Sequence, residues 1–224
     1  MFKNLLSFWK GKDFLLQVME DFKVMLDEAQ SMFEIVCARL TGGRDDPELK
    51  ERIYKIDKKI NDLQKEIRRR IVEHLSLQPT VDVNACLILM SVVKDAERLG
   101  DYSKNLYEVT ELLAHPIDKA LFSRHFDSLD REIVELFDQT KDAFIDANEE
   151  KARSTWDYHR RINTTCDKIV ADVARSDLSV NEAVCLALVA RHFKRIVSHL
   201  VNIATSVVLP LSDLDYFDET RENQ

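Results

Sequence analysis

The sequence predicts an all-α protein made of two tandem three-helix up-down-up bundles, with six long helices in all. Two observations support this. The 224 residues include only four glycines and four prolines, too few for the turns of an all-β fold of this size. Between those residues, apolar side chains recur at every third or fourth position, which is typical of amphipathic helices.

Glycines and prolines divide the first half of the chain into three predicted helices. We expect them over about residues 15–40, 47–75 and 80–113. The second is expected to begin at Asp46-Pro47, because Asp is a common N-cap and Pro fits the first helical position. The first half of the third helix is the most apolar, so we expect it at the centre of the fold.

The same plan is predicted to begin again at Pro116. Three further helices are expected over about residues 121–144, 156–173 and 179–207. Ser179 and Glu182 predict a capping box at the start of the last one. Short connections require neighbouring helices to be antiparallel, which gives the up-down-up order.

A repeat of about a hundred residues supports two bundles. Residues 97–105 align with residues 194–202, and residues 57–61 align with residues 159–163. We therefore divide the chain into four parts: a lead-in over 1–13, a first repeat over 14–115, a second repeat over 116–210 and an acidic tail over 211–224.

Composition narrows the function classes. The net charge is −8, which argues against nucleic acid as the main partner. No apolar run is long enough to cross a bilayer, and the N-terminal apolar stretch has no cleavage site, so a cytoplasmic protein is expected. The four cysteines have no CxxC spacing and are expected to be reduced; they are Cys37, Cys86, Cys166 and Cys185.

A row of polar side chains lies on the third predicted helix. Glu97 and Asp101 are four residues apart, so both carboxylates project from one face, and Asn105 extends the row. Asp57 and Asn61 have the same spacing on the second helix. Packing the two rows together would gather oxygen ligands, which suit Mg²⁺, Mn²⁺, Ca²⁺ or iron.

Like charges in such a row need a counter-charge. Arg98 is expected to point about a hundred degrees away from Glu97, which leaves a lysine from a neighbouring helix or a metal ion. Gly100 lies inside the row and predicts either a close helix approach or room for an ion. The alternative is a solvated polar face without a ligand.

Residues 97–101 with Asn105, on a third helix, resemble the E/D-R-I-G-D signature of the PhoU family, a tandem of two three-helix bundles. The resemblance extends from about Phe14 to Val208. It implies a cytoplasmic regulator of phosphate uptake that acts by contact with a phosphate transporter component, a sensor histidine kinase or both. It also implies a metal cofactor, Fe, Mn or Mg, at the carboxylate pairs; membrane contact would come only through a partner, and a homodimer is left open.

The second repeat departs from that signature. Lys194 and Ser198 replace the acidic pair, and His159 precedes Asn163 where an acidic residue is expected. An ammonium group repels a cation, so we expect one metal site and not two. The last helix is instead locally basic, which predicts a face for an anion or an acidic partner; its residues are Arg191, Lys194, Arg195 and His199.

Two other function classes remain open. One is a metal-free helical adaptor, whose carboxylate row is only a charged interface. The other is a di-iron or di-manganese enzyme with Asp57, Glu97 and Asp101 as ligands. No Glu precedes any histidine by three residues, which argues against ferritin-like di-iron ligands, and no glycine-rich phosphate loop or nucleophile motif is present. We therefore expect a regulator and no enzyme, with no catalytic residues.

Overall fold

A computed structural model describes residues 13–42 and 46–216. Within those ranges it has seven α-helices and no strand. The helices are α1 (Asp13–Leu40), α2 (Leu49–Leu77), α3 (Val83–Leu112), α4 (Lys119–Phe126), α5 (Leu129–Ile145), α6 (Glu149–Val173) and α7 (Val180–Thr205), followed by a 3₁₀ turn, Leu211–Asp213. Residues 1–12 of the lead-in and 217–224 of the tail lie outside the described ranges. None of the described helices is long and apolar enough to cross a membrane.

The all-α prediction is confirmed, and the helices form two bundles. In the first, α1, α2 and α3 each pack against the other two; in the second, α5, α6 and α7 do the same. The bundles meet mainly through α3 and α7, with a smaller contact between α1 and α5. The apolar third helix is therefore central, as its composition predicts.

The fourth predicted helix is interrupted, and this part of the prediction was wrong. It forms α4 and α5, separated at Asp127, whose φ is +48°. Phe126 and Leu129 lie on either side of the break, and both are buried. Asp tolerates positive φ better than most residues, so it fits the break.

Helix starts also differ in detail from the prediction. Helix α2 begins at Leu49 with Glu48 as its N-cap, whereas Asp46 accepts a hydrogen bond from the Glu48 amide at 3.0 Å. The capping box is confirmed: the Glu182 amide donates to Ser179 Oγ at 3.2 Å, and the Ser179 amide donates to Glu182 Oε2 at 3.3 Å. These contacts satisfy amides that have no partner within the helix.

Aromatic side chains fill the space between the two bundles. Phe33 of α1 lies 5.9 Å from Phe137 of α5 and 5.5 Å from Phe193 of α7, measured between ring centroids. Phe22 and Phe144 form a second pair at 4.8 Å. All five rings are fully buried. The bundles therefore share one continuous apolar core.

All four cysteines are free and buried, in agreement with the expected reduced state. Burial and, to a smaller extent, the Asp167 carboxylate together raise the pKa of the Cys166 thiol to about 12. This thiol is therefore protonated and packs as a small apolar side chain.

Gly100 marks the close approach of α3 to α2. A Cβ atom at this position would lie 2.9 Å from Ile60 Cδ1 and 3.5 Å from Ile60 Cγ2. Contacts under 3.0 Å force a neighbour to move. Of the two sequence interpretations, close helix approach therefore accounts for this glycine.

A double-mutant cycle tests that contact. Gly100→Ala gains about 1 kcal/mol of helix propensity but displaces Ile60. Ile60→Val removes the Cδ1 atom and costs about 1 kcal/mol by itself. We expect the double variant to be more stable than additivity predicts by about 0.5–1 kcal/mol, measured by denaturant unfolding. Strict additivity would show that the two side chains do not compete for the space.

Candidate functional site

The two predicted polar rows face each other where α2 packs against α3. Asp57 and Asn61 come from α2, and Asn61 Nδ2 lies 3.5 Å from Asp57 Oδ2. Glu97 and Asp101 come from α3, and Asn105 lies half-buried one turn further along. All five residues are at least partly shielded from solvent. The structure therefore brings the predicted set to one helix interface.

Lys104 supplies a cation that the sequence analysis did not identify. Its Nζ atom lies 2.9 Å from Asp57 Oδ1 and 3.4 Å from Asp101 Oδ1, so it bridges the two rows. Burial lowers the pKa of the Lys104 ammonium, but the hydrogen bond to Asp57 and the charges of Asp57 and Asp101 outweigh it, so the pKa is raised. The ammonium is therefore firmly charged. Its position three residues after Asp101 on α3 could have indicated the contact with Asp101, but not the second contact, with Asp57 on α2.

Arg98 also balances the row, and the expectation that it takes no part was wrong. Its Nη1 atom lies 2.8 Å from Asp101 Oδ2, and its Nε atom lies 3.7 Å from Glu97 Oε2. Although Arg98 leaves the helix in a different direction from Glu97, its long side chain bends back along the helix to reach both carboxylates.

Glu97 is the least well compensated carboxylate of the row. Its pKa is raised above the ordinary value, first by burial and then by the charge of Asp101. Arg98 and Arg68 act in the opposite direction but do not cancel these effects. The fold therefore disfavours the ionised form of this side chain.

The arrangement does not fit a metal ion as it stands. Among the described residues, no group of three or more His, Cys, Asp and Glu side chains could hold one. Lys104 takes one oxygen of Asp57 and one of Asp101, and Arg98 takes the other oxygen of Asp101. A hard cation needs several free oxygen ligands. To use these oxygens of Asp57 and Asp101, it would have to displace Lys104 or Arg98.

The corresponding interface of the second repeat has a different chemistry. Lys194 Nζ lies 2.7 Å from both carboxylate oxygens of Asp167 on α6. His159 Nε2 lies 2.8 Å from Asn163 Nδ2 and 3.5 Å from Ser198 Oγ. As in the pair of Lys104 with Asp57, the cation comes from the third helix of the repeat, here α7, and the carboxylate from the second, here α6.

Two of the predicted basic residues of α7 face the first bundle. Arg195 Nε donates to the Tyr102 hydroxyl at 3.1 Å, and its guanidinium lies over the Tyr102 ring. His199 Nδ1 lies 2.7 Å from Asp95 Oδ1, and both side chains are largely buried. Arg191, by contrast, is exposed. Lys194, Arg195 and His199 thus have partners within the chain. The anion or partner face predicted on this helix stays a prediction.

Asp95 and Tyr102 were missed by the sequence analysis. Both lie on α3, on the side that contacts α7. Asp95 is the one carboxylate in the apolar first half of that helix that is buried. An acidic residue within an apolar stretch is a signal of a buried partner, and it could have been read as such.

Comparison with known protein families shows which family the chain belongs to. The model of the PhoU domain matches this chain twice, over residues 22–110 and 127–207, which together are most of its length. The chain belongs to the PhoU family. The two matched regions correspond to the two bundles of this PhoU protein.

Three proteins that are similar to most of this chain are PhoU homologues. A "Phosphate-specific transport system accessory protein PhoU homolog" of Caulobacter vibrioides is 22% identical over 182 residues, 79% of each chain. The homologue of the same name from Clostridium acetobutylicum is 22% identical over 176 residues, 74% of this chain and 78% of the relative. The one from Synechocystis is 25% identical over 177 residues, 70% and 71% of the two chains.

Solved PhoU structures have the same fold. The crystal structure of the phosphate transport system regulatory protein PhoU from Streptococcus pneumoniae has a TM-score of 0.71 and 18% identity, over 88% of this chain and 95% of that one. The crystal structure of PhoU from Pseudomonas aeruginosa has a TM-score of 0.74 and 19% identity, over 87% of this chain and 95% of that one. The recognised resemblance and the fold are thereby confirmed.

The raised pKa of Glu97 gives a test by pH. An acid whose folded pKa exceeds its unfolded pKa loses stability as pH rises through that interval, because the folded state holds the proton more tightly. Replacing Glu97 by Gln removes this loss. The free energy of unfolding of the variant relative to the wild type should therefore rise as the pH increases from below the ordinary glutamate pKa to above the raised pKa of Glu97.

A control of opposite sign is available at Glu66. The pKa of Glu66 is lowered by hydrogen bonds from Arg69 and then Arg70, so the wild type gains stability as this carboxylate ionises. The Glu66→Gln variant lacks that gain, and its free energy of unfolding should fall relative to the wild type as pH rises. Both variants are measured by denaturant unfolding at each pH. Parallel pH profiles for the wild type and Glu97→Gln would show that burial and the charge of Asp101 do not raise the pKa of Glu97.

Proposed function

We propose that this chain is a cytoplasmic regulator of phosphate uptake, not an enzyme, and that it acts by contact with a phosphate transporter component, a sensor histidine kinase or both. The observation that carries the proposal is the match of the PhoU domain to both repeats. Relatives that cover most of the chain are named as accessory proteins of a phosphate-specific transport system. The Streptococcus pneumoniae structure is named a regulatory protein of that system.

The charge arrangement at the α2–α3 interface is consistent with a contact function. Asp57 and Asp101 are neutralised by Lys104 and Arg98, so the row joins two helices by ion pairs within the chain. This observation favours the metal-free adaptor as a second form of the proposal. The metal predicted at Glu97, Asp101, Asp57, Asn61 and Asn105 stays a prediction, with Mg, Mn or Fe as the cation.

Deletion of the gene in its own organism tests regulation. We expect transcription of a phosphate-starvation reporter to rise in phosphate-rich medium, because the contact that damps the transporter and its kinase is lost. Reintroduced wild-type protein should restore repression. An unchanged reporter and unchanged uptake of labelled phosphate would contradict the proposal.

Lys104→Met tests how the site treats metal ions. The substitution keeps the length of the side chain and removes the ammonium, which frees oxygens of Asp57 and Asp101. We expect the wild type to bind Mn²⁺ weakly after exchange into metal-free buffer, and the variant to bind it at least about tenfold more tightly, a gain of about 1.4 kcal/mol. Elemental analysis and calorimetric titration measure both.

The control adds Glu97→Gln and Asp101→Asn to the Lys104→Met background, which should abolish the gain. Tight metal binding by the wild type would instead favour the metal-binding form of the proposal. If the wild type holds one tightly bound metal that Glu97→Gln with Asp101→Asn removes, the ion displaces Lys104 and the site is a metal site.

A further inference from the structure

A basic groove lies on the side of α2 that faces α1, away from the carboxylate row. It is a shallow depression, open to solvent, with a volume of about 710 Å³. Four cations line it, together with two carboxylates and two apolar side chains; they are Arg52, Lys55, Lys58, Lys59, Glu28, Asp62, Ile56 and Leu63. The excess of positive charge is notable in a chain whose net charge is −8.

Some of the cations of the groove have carboxylate partners and others do not. Lys59 is held by Glu28 at 2.6 Å, and Arg52 lies 3.7 Å from Asp46. Lys55 and Lys58 are exposed, and within residues 13–42 and 46–216 neither has an ion pair. Two ammonium groups, one turn apart, are therefore free to meet charge from another molecule.

The floor of the groove is apolar. Ile56 and Leu63 are half-buried and pack against the core of the first bundle, with part of each side chain still facing out. A ligand that covers this floor gains apolar burial as well as charge pairing. The spacing of seven residues is two turns of helix, about 10 Å, which matches one face of a short helix.

We propose that this groove docks an acidic, amphipathic helical segment of a partner protein. Acidic side chains of the segment pair with Lys55 and Lys58, and its apolar side chains cover Ile56 and Leu63. The proposal rests on the proposed function, because it assigns the surface through which the chain contacts the phosphate-uptake system.

The mixed lining favours a protein over a membrane. An anionic lipid surface presents uniform negative charge, whereas the groove places Glu28 and Asp62 among its cations. A helix can place acidic groups opposite the lysines and apolar groups opposite the floor, in the helix-in-groove mode of recognition. Charge complementarity of this kind selects a partner and speeds association.

Charge reversal of the two lysines tests the proposal. The probes are the purified phosphate transporter of the same organism in nanodiscs and the cytoplasmic part of its sensor kinase, each immobilised. We expect the Lys55→Glu/Lys58→Glu variant to bind at least one of them about tenfold or more weakly than the wild type, with the difference shrinking at high salt.

A matched control comes from the second repeat. Lys168 and Arg175 are exposed and, among the described residues, also lack ion pairs. Lys168→Glu/Arg175→Glu changes the net charge by the same amount, and we expect its affinity to stay within about twofold of the wild type. Denaturant unfolding checks that every variant is folded.

The outcomes separate the two proposals. If the wild type binds neither probe, the proposed function fails. If the wild type binds and the groove variant binds equally well, or if both double variants lose affinity alike, the groove is overturned. Selective loss of binding to vesicles of phosphatidylglycerol and phosphatidylcholine, with protein binding intact, would assign the groove to the membrane instead.

A second measurement does not depend on the charge reversal. A photo-crosslinking amino acid at Lys58 should link to a partner peptide that carries both acidic and apolar residues, and one at Lys168 should not. Equal crosslinking from both positions would overturn the proposal.

Discussion

The packing of α3 against α7 is the contact on which the arrangement of both bundles depends. Within a largely apolar interface, the buried Asp95 lies 2.7 Å from His199 Nδ1 and accepts from Asn202 Nδ2 at 3.2 Å. A buried carboxylate is strongly disfavoured without such partners, so a shift of α3 along α7 would leave it unpaired. Apolar side chains alone would tolerate several registers of two helices. The observed register satisfies this polar cluster, and aromatic rings from α1, α5 and α7 fill the space between the bundles.

Because α3 is fixed by α7 on one side, its opposite side determines where α2 can lie. Gly100 lets Ile60 of α2 approach the α3 backbone without a side chain between them. That approach brings Asp57 within reach of Lys104, which also contacts Asp101. The carboxylate row is thus a consequence of close helix packing, and its charge is compensated from within α3. The corresponding interface of the second repeat has the same polarity, since Lys194 of its third helix, α7, pairs with Asp167 of its second helix, α6.

Periodicity and helix-ending residues were enough to predict the helices, because an apolar stripe must face a core whatever its neighbours are. The break at Asp127 was not predictable in this way, since the apolar stripe continues across it and the positive φ of Asp127 is what separates the two helices. The carboxylate pairs were predictable from their spacing. The bridge by Lys104 was not, because spacing gives the direction in which a side chain leaves the helix but not where a long, flexible side chain ends. Arg98 was misjudged for the same reason.

The two sides of α2 have opposite roles, and this follows from where their charges are satisfied. On the side that faces α3, the carboxylates of Asp57 and Asp101 are already paired with Lys104 and Arg98. On the side that faces α1, Lys59 is paired with Glu28, but Lys55 is exposed beside an apolar floor. An ion pair that is already formed within a chain must be broken before either group can bind another molecule, whereas an exposed unpaired charge needs only to lose water. Recognition by this protein is therefore expected on the α1 side of α2, and the conserved fold of the family would serve to hold that helix at a fixed position.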